Sequence, residues 1–407
     1  MLKSFSQEEK KYLNFIVFWR QPDWGFYNRR NEAFTKHLAV NEKVNQVVHV
    51  EWLPLRGLLR MLYNYLYCKD KDLKALYLLH IKKALSLKVV KVNDKLGLYT
   101  ILVVSNRSYN DYPGVNLLSK LQLFCLNQQL KLIQGPKIML AYPPNQYLEA
   151  IIDTVEHDLL FVDLVDDLET VHTEINGRSV EKMYATVLSK CKKGYATADM
   201  LAKRYAQKFS CDIQYLANGV DSIDNSQDPQ AENIAKTPVV GYFGILNREV
   251  DISIIEYLVN DNPEIDFHFI GKIEPTIGPI FLELVKNKKN VIYYGQIAHK
   301  NLGKYVSNFD VMANYKKADI TTAGNDSIKI YEYLATGKPI VSTSIAPATR
   351  FSDVIYVSDD KAEFSACIKL AVREKTPEKI AKRKKLAGDN TWSKRVEIIL
   401  NDVLNVL

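Results

Sequence analysis

The feature that most constrains the fold of this 407-residue chain is a regular alternation of short apolar runs with longer helical patterns. Runs this apolar and β-rich predict strands that are covered on both faces, as in a parallel sheet. Strand–helix alternation predicts βαβ units, and therefore a doubly wound α/β fold. We predict strands over residues 14–19, 44–53, 98–104, 137–142, 159–165, 238–244, 266–271, 290–296, 309–315, 338–343 and 353–358.

One polar segment divides this pattern. Residues 224–237, "DNSQDPQAENIAKT", have no apolar periodicity and contain a proline, which is typical of a linker. The chain is also too long for one ordinary core and suits two. We therefore predict an N-terminal domain over residues 1–222, a linker over 223–237, a second α/β domain over 238–388 and a last amphipathic helix over 389–407.

Bulk composition narrows the possible partners and compartments. The formal net charge of +7 permits a nucleotide, an anionic lipid surface or a nucleic acid as partner. Basic residues do not cluster with aromatic ones in a recognisable nucleic-acid-binding module, so we expect no nucleic acid. Five scattered cysteines favour a reducing compartment over a disulfide scaffold or a zinc site. Because no apolar run reaches the about 18 residues of a membrane-spanning helix, we expect a cytoplasmic protein.

The stretch "SIKIYEYLATGKPIVST" (327–343) predicts a helix that ends at Gly337 and is followed by a strand. The N-terminus of such a helix presents free N–H groups that suit a phosphate. Lys329 lies in the first turn and Glu332 one turn later, so both share a face. Lys329 could face a diphosphate while Glu332 accepts hydrogen bonds from a ribose. The alternative is a solvated surface ion pair.

The pattern K-x-x-E-x-L-A-x-G-x-P-x-V (329–341) resembles the C-terminal signature of GT-B glycosyltransferases of the family-4-like group, which includes bacterial polysaccharide and teichuronic-acid-type enzymes. Further resemblances keep the family's order: "YLANGVD" (215–221), "GYFGILNREVD" (241–251), "FHFIGKI" (267–273), the run 290–319 and "TWSKR" (391–395). The resemblance implies two Rossmann-like domains facing across a cleft, with the last helix crossing back to the N-terminal domain. It also implies sugar transfer from a nucleotide-diphosphate sugar, in particular a UDP-sugar, without a metal ion or other cofactor.

The same resemblance implies which residues bind the donor. Arg248 stands where a diphosphate-binding lysine is usual, and Glu332 stands where the family holds the ribose. Two positions depart from the pattern, because Gly324 replaces a glutamate and Ile245 replaces an arginine. The departures imply a divergent branch in which Arg248 and Lys329 carry the diphosphate alone. The implied donor-binding set is Gly244, Arg248, Ile297, Ser327, Ile328, Lys329 and Glu332.

Candidate catalytic residues of the N-terminal half are sought directly after the predicted strands, because sites in parallel sheets form at the carboxyl ends of strands. Asp166 and Asp167 end the run 159–165, and one of them is predicted to be a general base in an inverting reaction. The alternative is that they cap the following helix. Asp163 is expected to face the other way because side chains alternate along a strand.

Three residues are candidates for binding the acceptor. Trp24 could stack on a sugar, Arg29 could bind an anionic group, and Tyr142 follows another predicted strand. The alternative for the first two is a packed loop that leads into a helix.

Residues 53–91 interleave leucine and tyrosine with nine Lys or Arg against two Asp. This composition predicts a peripheral contact with the anionic inner face of a membrane, and the alternative is an ordinary solvated surface helix. We expect a glycosyltransferase acting on a saccharide or lipid-linked acceptor in bacterial surface polysaccharide or glycolipid synthesis. The alternatives are a catalytically inactive GT-B relative that serves as a membrane-associated assembly partner, and a GT-B sugar-nucleotide epimerase.

Overall fold

The computed structural model describes residues 6, 12–103, 117–145, 147–172, 174–175, 178–221, 237–319 and 325–407. The chain forms two compact units. The first contains Met1–Ala217 and Trp392–Leu407, and the second contains Asn218–Thr391. The chain therefore passes between units a few residues before 222 and again after 391. The predicted linker, apart from residue 237, lies outside the described residues.

The first unit contains an eight-stranded sheet in the order β10-β9-β6-β5-β1-β2-β4-β3, with only the short β3 antiparallel to its neighbour. β7 and β8 form a separate two-stranded hairpin. The strands are β1 (Leu13–Trp19), β2 (Val44–Pro54), β3 (Val90–Lys91), β4 (Leu96–Val103), β5 (Lys137–Ala141), β6 (Leu159–Leu164), β7 (Glu174–Ile175), β8 (Arg178–Ser179), β9 (Lys193–Ala196) and β10 (Ile213–Tyr215).

Helices cover both faces of this sheet, which explains why all seven residues of β1 and all eight of β4 are buried. Helices α4, α5, α7 and α8 pack on one face, and α1 to α3 pack on the other. They are α1 (Arg30–Val40), α2 (Leu55–Tyr67), α3 (Lys71–Ala84), α4 (Leu117–Lys131), α5 (Leu148–Thr154), α6 (Leu168–Val171), α7 (Val180–Leu188) and α8 (Asp199–Phe209).

The second unit is built on a six-stranded, wholly parallel sheet in the order β13-β12-β11-β14-β15-β16. Its strands are β11 (Val239–Phe243), β12 (Asp266–Ile270), β13 (Val291–Tyr293), β14 (Val311–Asn314), β15 (Ile340–Ser342) and β16 (Tyr356–Val357). Its helices are α9 (Ile252–Asp261), α10 (Gly278–Asn287), α11 (Leu302–Val306), α12 (Ile328–Thr336), α13 (Ala346–Arg350), α14 (Lys361–Arg373) and α15 (Pro377–Asp389).

The last helix, α16 (Trp392–Val406), belongs to the first unit, as predicted. The ring of Trp392 packs edge-on against Phe34 of α1 at 5.5 Å. Asp402 accepts a hydrogen bond from the Tyr195 hydroxyl at 2.8 Å and pairs with Lys193 at 2.9 Å. An apolar contact and a charged contact therefore fix this helix on the unit where the chain began.

Candidate active site

The strand order of the second sheet identifies where a ligand would bind. Strands β12 and β13 lie on one side of β11, whereas β14 to β16 lie on the other. Ligands of open parallel sheets bind beside the carboxyl ends of the strands at such a reversal. Gly244 follows β11 directly, and α12 is the helix that precedes β15. The topology thus leads to the residues predicted to bind the donor.

Helix α12 ends at the predicted residue. Ser327 occupies the N-cap position with an extended backbone, although its side chain makes no capping hydrogen bond. The helix ends at Gly337, whose φ of +73° is the left-handed conformation typical of a terminating glycine. Ser327 and Ile328 are half-buried, so the first turn of the helix remains partly open to solvent.

Lys329 is fixed against the carboxyl end of β11. Its Nζ donates a hydrogen bond to the Tyr242 hydroxyl at 3.0 Å and lies 4.9 Å from the centroid of that ring. A Cβ atom at Gly244 would lie only 2.1 Å from Cε of Lys329. Since Gly244 also has a φ of +143°, both its backbone and the adjacent lysine require a glycine at this position.

A second glycine completes the contact between neighbouring loops. Gly271 follows β12 with a φ of +142°, and a Cβ atom there would lie 1.8 Å from the carbonyl oxygen of Gly244. The two loops therefore approach at backbone distance beside the lysine. Such an approach leaves room for a ligand near backbone N–H groups.

Glu332 lies one turn after Lys329 but has a different partner. Its side chain is nearly buried, and its Oε1 lies 3.0 Å from Nε2 of His299. Within the described part of the chain, Lys329 and Glu332 form no ion pair with each other, so the alternative of a solvated surface pair is wrong. Sequence patterns gave no signal for the contact with His299, because 33 residues separate the two side chains.

A buried hydrogen-bond network holds the start of α12. Oδ2 of Asp326 accepts from the backbone N–H of Asn218 at 2.7 Å, and both carboxylate oxygens lie near 3.0 Å from the Tyr331 hydroxyl. Arg350 donates to that hydroxyl at 2.9 Å. The "NGVD" motif thus contributes Asn218 to the positioning of the helix that carries Lys329.

The other residues predicted to bind the donor take no part in the contacts of Lys329 and Glu332 described above. Arg248 is exposed in the turn after β11, and among the described residues its side chain has no ion-pair partner. Ile297 is half-buried in the loop after β13. Ile245 is half-buried beside Gly244, whereas Gly324 lies outside the described residues.

In the first unit, the structure separates the roles of the two adjacent aspartates. Asp167 is the N-cap of α6 and accepts from the backbone N–H of Thr170 at 3.3 Å. It is also buried and forms a bidentate pair with Arg204 at 2.6 and 2.7 Å. The capping alternative is therefore correct for Asp167. Asp166 instead keeps about a third of its side chain exposed, at 35%, and pairs with Arg20 at 3.3 Å.

Asp163, as expected, does not join this pair. It is fully buried and forms a bidentate ion pair with Arg30 of α1, at 2.7 and 3.0 Å. Burial raises the pKa of Asp163, although the Arg30 guanidinium opposes this effect.

The predicted acceptor side chains are mostly unavailable. Trp24 is buried, with its ring 4.8 Å from that of His49, and Tyr142 is buried edge-on against Trp19 at 5.2 Å. Neither ring is open for stacking on a sugar, which corrects both predictions and favours the packed-loop alternative. Burial also raises the pKa of Tyr142 well above its usual value. Arg29 remains partly exposed but pairs with Asp23 at 3.0 Å.

The loop after β1 is packed because it covers a buried polar cluster that the sequence did not indicate. Glu51 of β2 is fully buried, accepts from the backbone N–H of Trp24 at 3.1 Å and pairs with Lys83 at 2.5 Å. His80 bonds the Trp24 carbonyl at 3.0 Å. Lys83 was one of the basic residues expected to be solvated or membrane-bound, and its burial corrects that expectation.

The cluster perturbs several ionisations. Burial opposes the charged form of Glu51, but the Lys83 ammonium, a hydrogen bond from His49 and the charges of both histidines together outweigh it. They hold the pKa of that carboxyl well below its usual range. Burial, with the Lys83 charge, lowers the pKa of His80 to about 4. Burial raises the pKa of Asp23 to about 6, against the opposing charge of Arg29.

Comparison with known proteins supports the same fold. No family model matches the chain. The Bacillus subtilis (strain 168) protein TuaH, whose name provisionally assigns it to teichuronic acid biosynthesis as a glycosyltransferase, is 22% identical over 236 residues. That match covers 54% of this chain and 59% of TuaH, so the chain aligns with little more than half of its curated relative.

Several solved structures match over nearly the whole chain, and another matches over about two thirds of it. Anabaena HepE in complex with UDP-glucose has a TM-score of 0.65 at 13% identity and covers 97% of this chain and 100% of its own. A UDP-forming α,α-trehalose-phosphate synthase from Burkholderia vietnamiensis has a TM-score of 0.65 at 10% identity, covering 98% and 99%. TarM has a TM-score of 0.52 at 15% identity, covering 69% and 58%. The chain therefore has the GT-B fold of these glycosyltransferases, with two Rossmann-like units, as its sequence predicts.

Proposed function

We propose that this protein is a glycosyltransferase that moves a sugar from a UDP-sugar to a hydroxyl group of a saccharide or lipid-linked acceptor. The observation that carries the proposal is the placement of Lys329 against Gly244, with Glu332 one turn further along α12. The complex of HepE with UDP-glucose and the name of TuaH favour a UDP-sugar and a surface polysaccharide pathway.

The donor would bind along the first turns of α12. Its diphosphate would accept hydrogen bonds from the backbone N–H groups at the helix N-terminus and face the charge of Lys329. Arg248, exposed in the turn after β11, supplies a second positive charge. These groups would stabilise the negative charge that develops on the leaving UDP, which lowers the barrier to transfer. We propose that this chemistry uses no resident metal ion.

The ribose would bind at Glu332. A carboxylate can accept hydrogen bonds from two neighbouring hydroxyl groups, and Glu332 is held in place by His299 before the donor arrives. A side chain that is already ordered loses less conformational entropy on binding.

The acceptor hydroxyl would be deprotonated by Asp166 if the sugar is transferred with inversion. Asp166 follows β6 and remains partly exposed, whereas Asp167 is committed to Arg204 and the helix cap. A base must be able to reach the hydroxyl group that it deprotonates, and of the two aspartates Asp166 is the exposed one.

Isothermal titration calorimetry with UDP and UDP-glucose tests the donor site. Lys329→Met and Glu332→Gln should each lose one charge-assisted contact, which contributes about 1.5–3 kcal/mol, or roughly tenfold or more in affinity. Lys361→Met is the matched control because Lys361 is an exposed lysine in the first turn of another helix, α14. Unchanged affinity in both site variants, or an equal loss in the control, would overturn the assignment.

A further inference from the structure

Helix α2 of the first unit exposes a continuous apolar stripe. The exposed side chains recur at i, i+4, i+7, i+8, i+11 and i+12, which places them on one side of the helix. Their exposed fractions run from 38% to 69%, so together they form an exposed apolar patch on the helix. They are Leu55, Leu59, Leu62, Tyr63, Leu66 and Tyr67.

The opposite side of α2 is already packed. Leu58 is buried in a cluster with Leu53 and Leu102, and Met61 and Tyr65 pack against that cluster. The exposed stripe is therefore a second apolar face rather than the core face of the helix. A helix that is apolar on two sides needs a second partner beyond its own domain.

Exposed apolar side chains are concentrated in this part of the chain. Of the 24 large apolar side chains that are exposed among the described residues, 14 lie between residues 55 and 132. The six residues of the α2 stripe are the largest group of them on one helix. A random scatter of surface apolar residues would need no explanation, but a contiguous stripe does.

The charge around the stripe identifies the partner. Arg56 and Arg60 are both exposed on α2, and the helix, "LRGLLRMLYNYLY", contains no acidic residue. A second copy of the chain is a poor partner, because a two-fold contact through this helix would bring arginines against arginines with no carboxylate between them. An anionic lipid surface complements both the arginines and the leucine–tyrosine stripe.

We infer that α2 docks the protein on an anionic lipid bilayer, lying in the interface with its apolar stripe among the upper acyl chains. At 13 residues the helix is too short to span a bilayer, and no helix in the described ranges is both long and apolar enough to do so. Tyr63 and Tyr67 suit the headgroup level, where amphipathic rings are favoured. This inference does not depend on the donor chemistry.

Vesicle co-sedimentation tests it. Wild-type protein should bind vesicles of phosphatidylcholine and phosphatidylglycerol at a molar ratio of about 7:3 more tightly than pure phosphatidylcholine, and binding should fall as salt rises. Arg56→Gln with Arg60→Gln should weaken binding by about 30-fold, since each basic residue contributes a factor of about five. Leu59→Glu with Leu66→Glu should weaken it at least as much. Because both leucines are exposed, these variants should unfold at the wild-type temperature.

Leu370→Glu is the matched control, because Leu370 is an exposed leucine on α14 of the second unit. It should bind vesicles as the wild type does. The inference fails if wild-type protein ignores the anionic vesicles, if Leu370→Glu loses as much binding as the α2 variants, or if binding is equal on neutral vesicles. A concentration-dependent dimer that Leu59→Glu with Leu66→Glu abolishes, without vesicle binding, would assign the stripe to a second copy instead.

Discussion

Replacing Gly244 with alanine should weaken UDP binding because the new methyl group would occupy the space of Lys329. The added Cβ would lie 2.1 Å from Cε, 3.0 Å from Nζ and 3.2 Å from Cδ of that lysine. Carbon atoms pack at about 3.5–4 Å, so the lysine would have to move by well over an ångström. Its hydrogen bond to Tyr242 would be lost, and its charge would leave the site proposed for the diphosphate.

Gly244→Ala should have two separate effects, one on the stability of the fold and one on the affinity for UDP. A φ of +143° is unfavourable for any residue with a Cβ, which costs about 1–3 kcal/mol of stability. Loss of the lysine contact should cost about 1.5–3 kcal/mol of binding free energy, which is roughly 10- to 150-fold in the dissociation constant for UDP. The first effect appears in unfolding and the second in binding.

Gly295→Ala separates the two effects. Gly295 has a φ of +78°, and a Cβ atom there would meet no other heavy atom within 4 Å. It should therefore lose about 1–2 kcal/mol of stability while UDP affinity stays within about twofold of wild type. Thermal unfolding and titration calorimetry measure these quantities on the same samples.

The double variant provides the decisive comparison. If Gly244→Ala acts by displacing the lysine, then adding it to Lys329→Met should weaken UDP binding no further, because both changes remove one contact. Wild-type affinity in Gly244→Ala, or additive losses in the double variant, would refute the reasoning.

Three other predictions concern the first unit. Asp166→Asn should lower the initial rate of transfer by about 10² to 10⁴ without changing UDP affinity, whereas Asp167→Asn should lower the melting temperature and keep most of the rate; a fully active Asp166→Asn would indicate another base or a retaining reaction. Because the pKa of Asp23 is raised from 3.8 to about 6, the stability it contributes is present below pH 3.8 and lost as the pH rises through about 6. Urea unfolding should therefore show Asp23→Asn gaining about 2 kcal/mol over wild type between pH 4 and pH 7, and a constant difference would contradict this. Lys83→Met should destabilise the unit by about 3–5 kcal/mol by leaving Glu51 buried and unpaired, Glu51→Gln in the same chain should recover part of that loss, and equal stabilities of the single and double variants would contradict the pairing.

The sequence predicted the strands that form the two cores. Each of the eleven apolar runs overlaps a strand of the structure, and the predicted end of α12 at Gly337 is the observed one. These elements are predictable because apolar periodicity and terminating glycines act within a few residues. Three strands of the first sheet, β3, β9 and β10, escaped prediction. They are two, four and three residues long, and "KGYA" in β9 becomes a strand only because β6 and β10 pair with it on either side.

The candidate site was predictable in part for the same reason. Lys329 and Glu332 lie three residues apart on one helix, so their shared position follows from local geometry. Their actual partners, Tyr242 and His299, are distant in the sequence, and only the folded unit brings them together. The choice between Asp166 and Asp167 likewise depends on Arg204, which is supplied by another helix.

The sequence by itself thus determined the fold class, the order of the strands along the chain and the helix that carries the donor-binding candidates. Tertiary structure alone decided which face of each amphipathic element is covered. The sequence of residues 53–91 does not show which leucines and lysines are buried. In the structure Lys83 is buried against Glu51, whereas Leu66 faces solvent. The physical reason is that local patterns fix periodicity, whereas burial and ionisation depend on which distant side chains the fold places alongside.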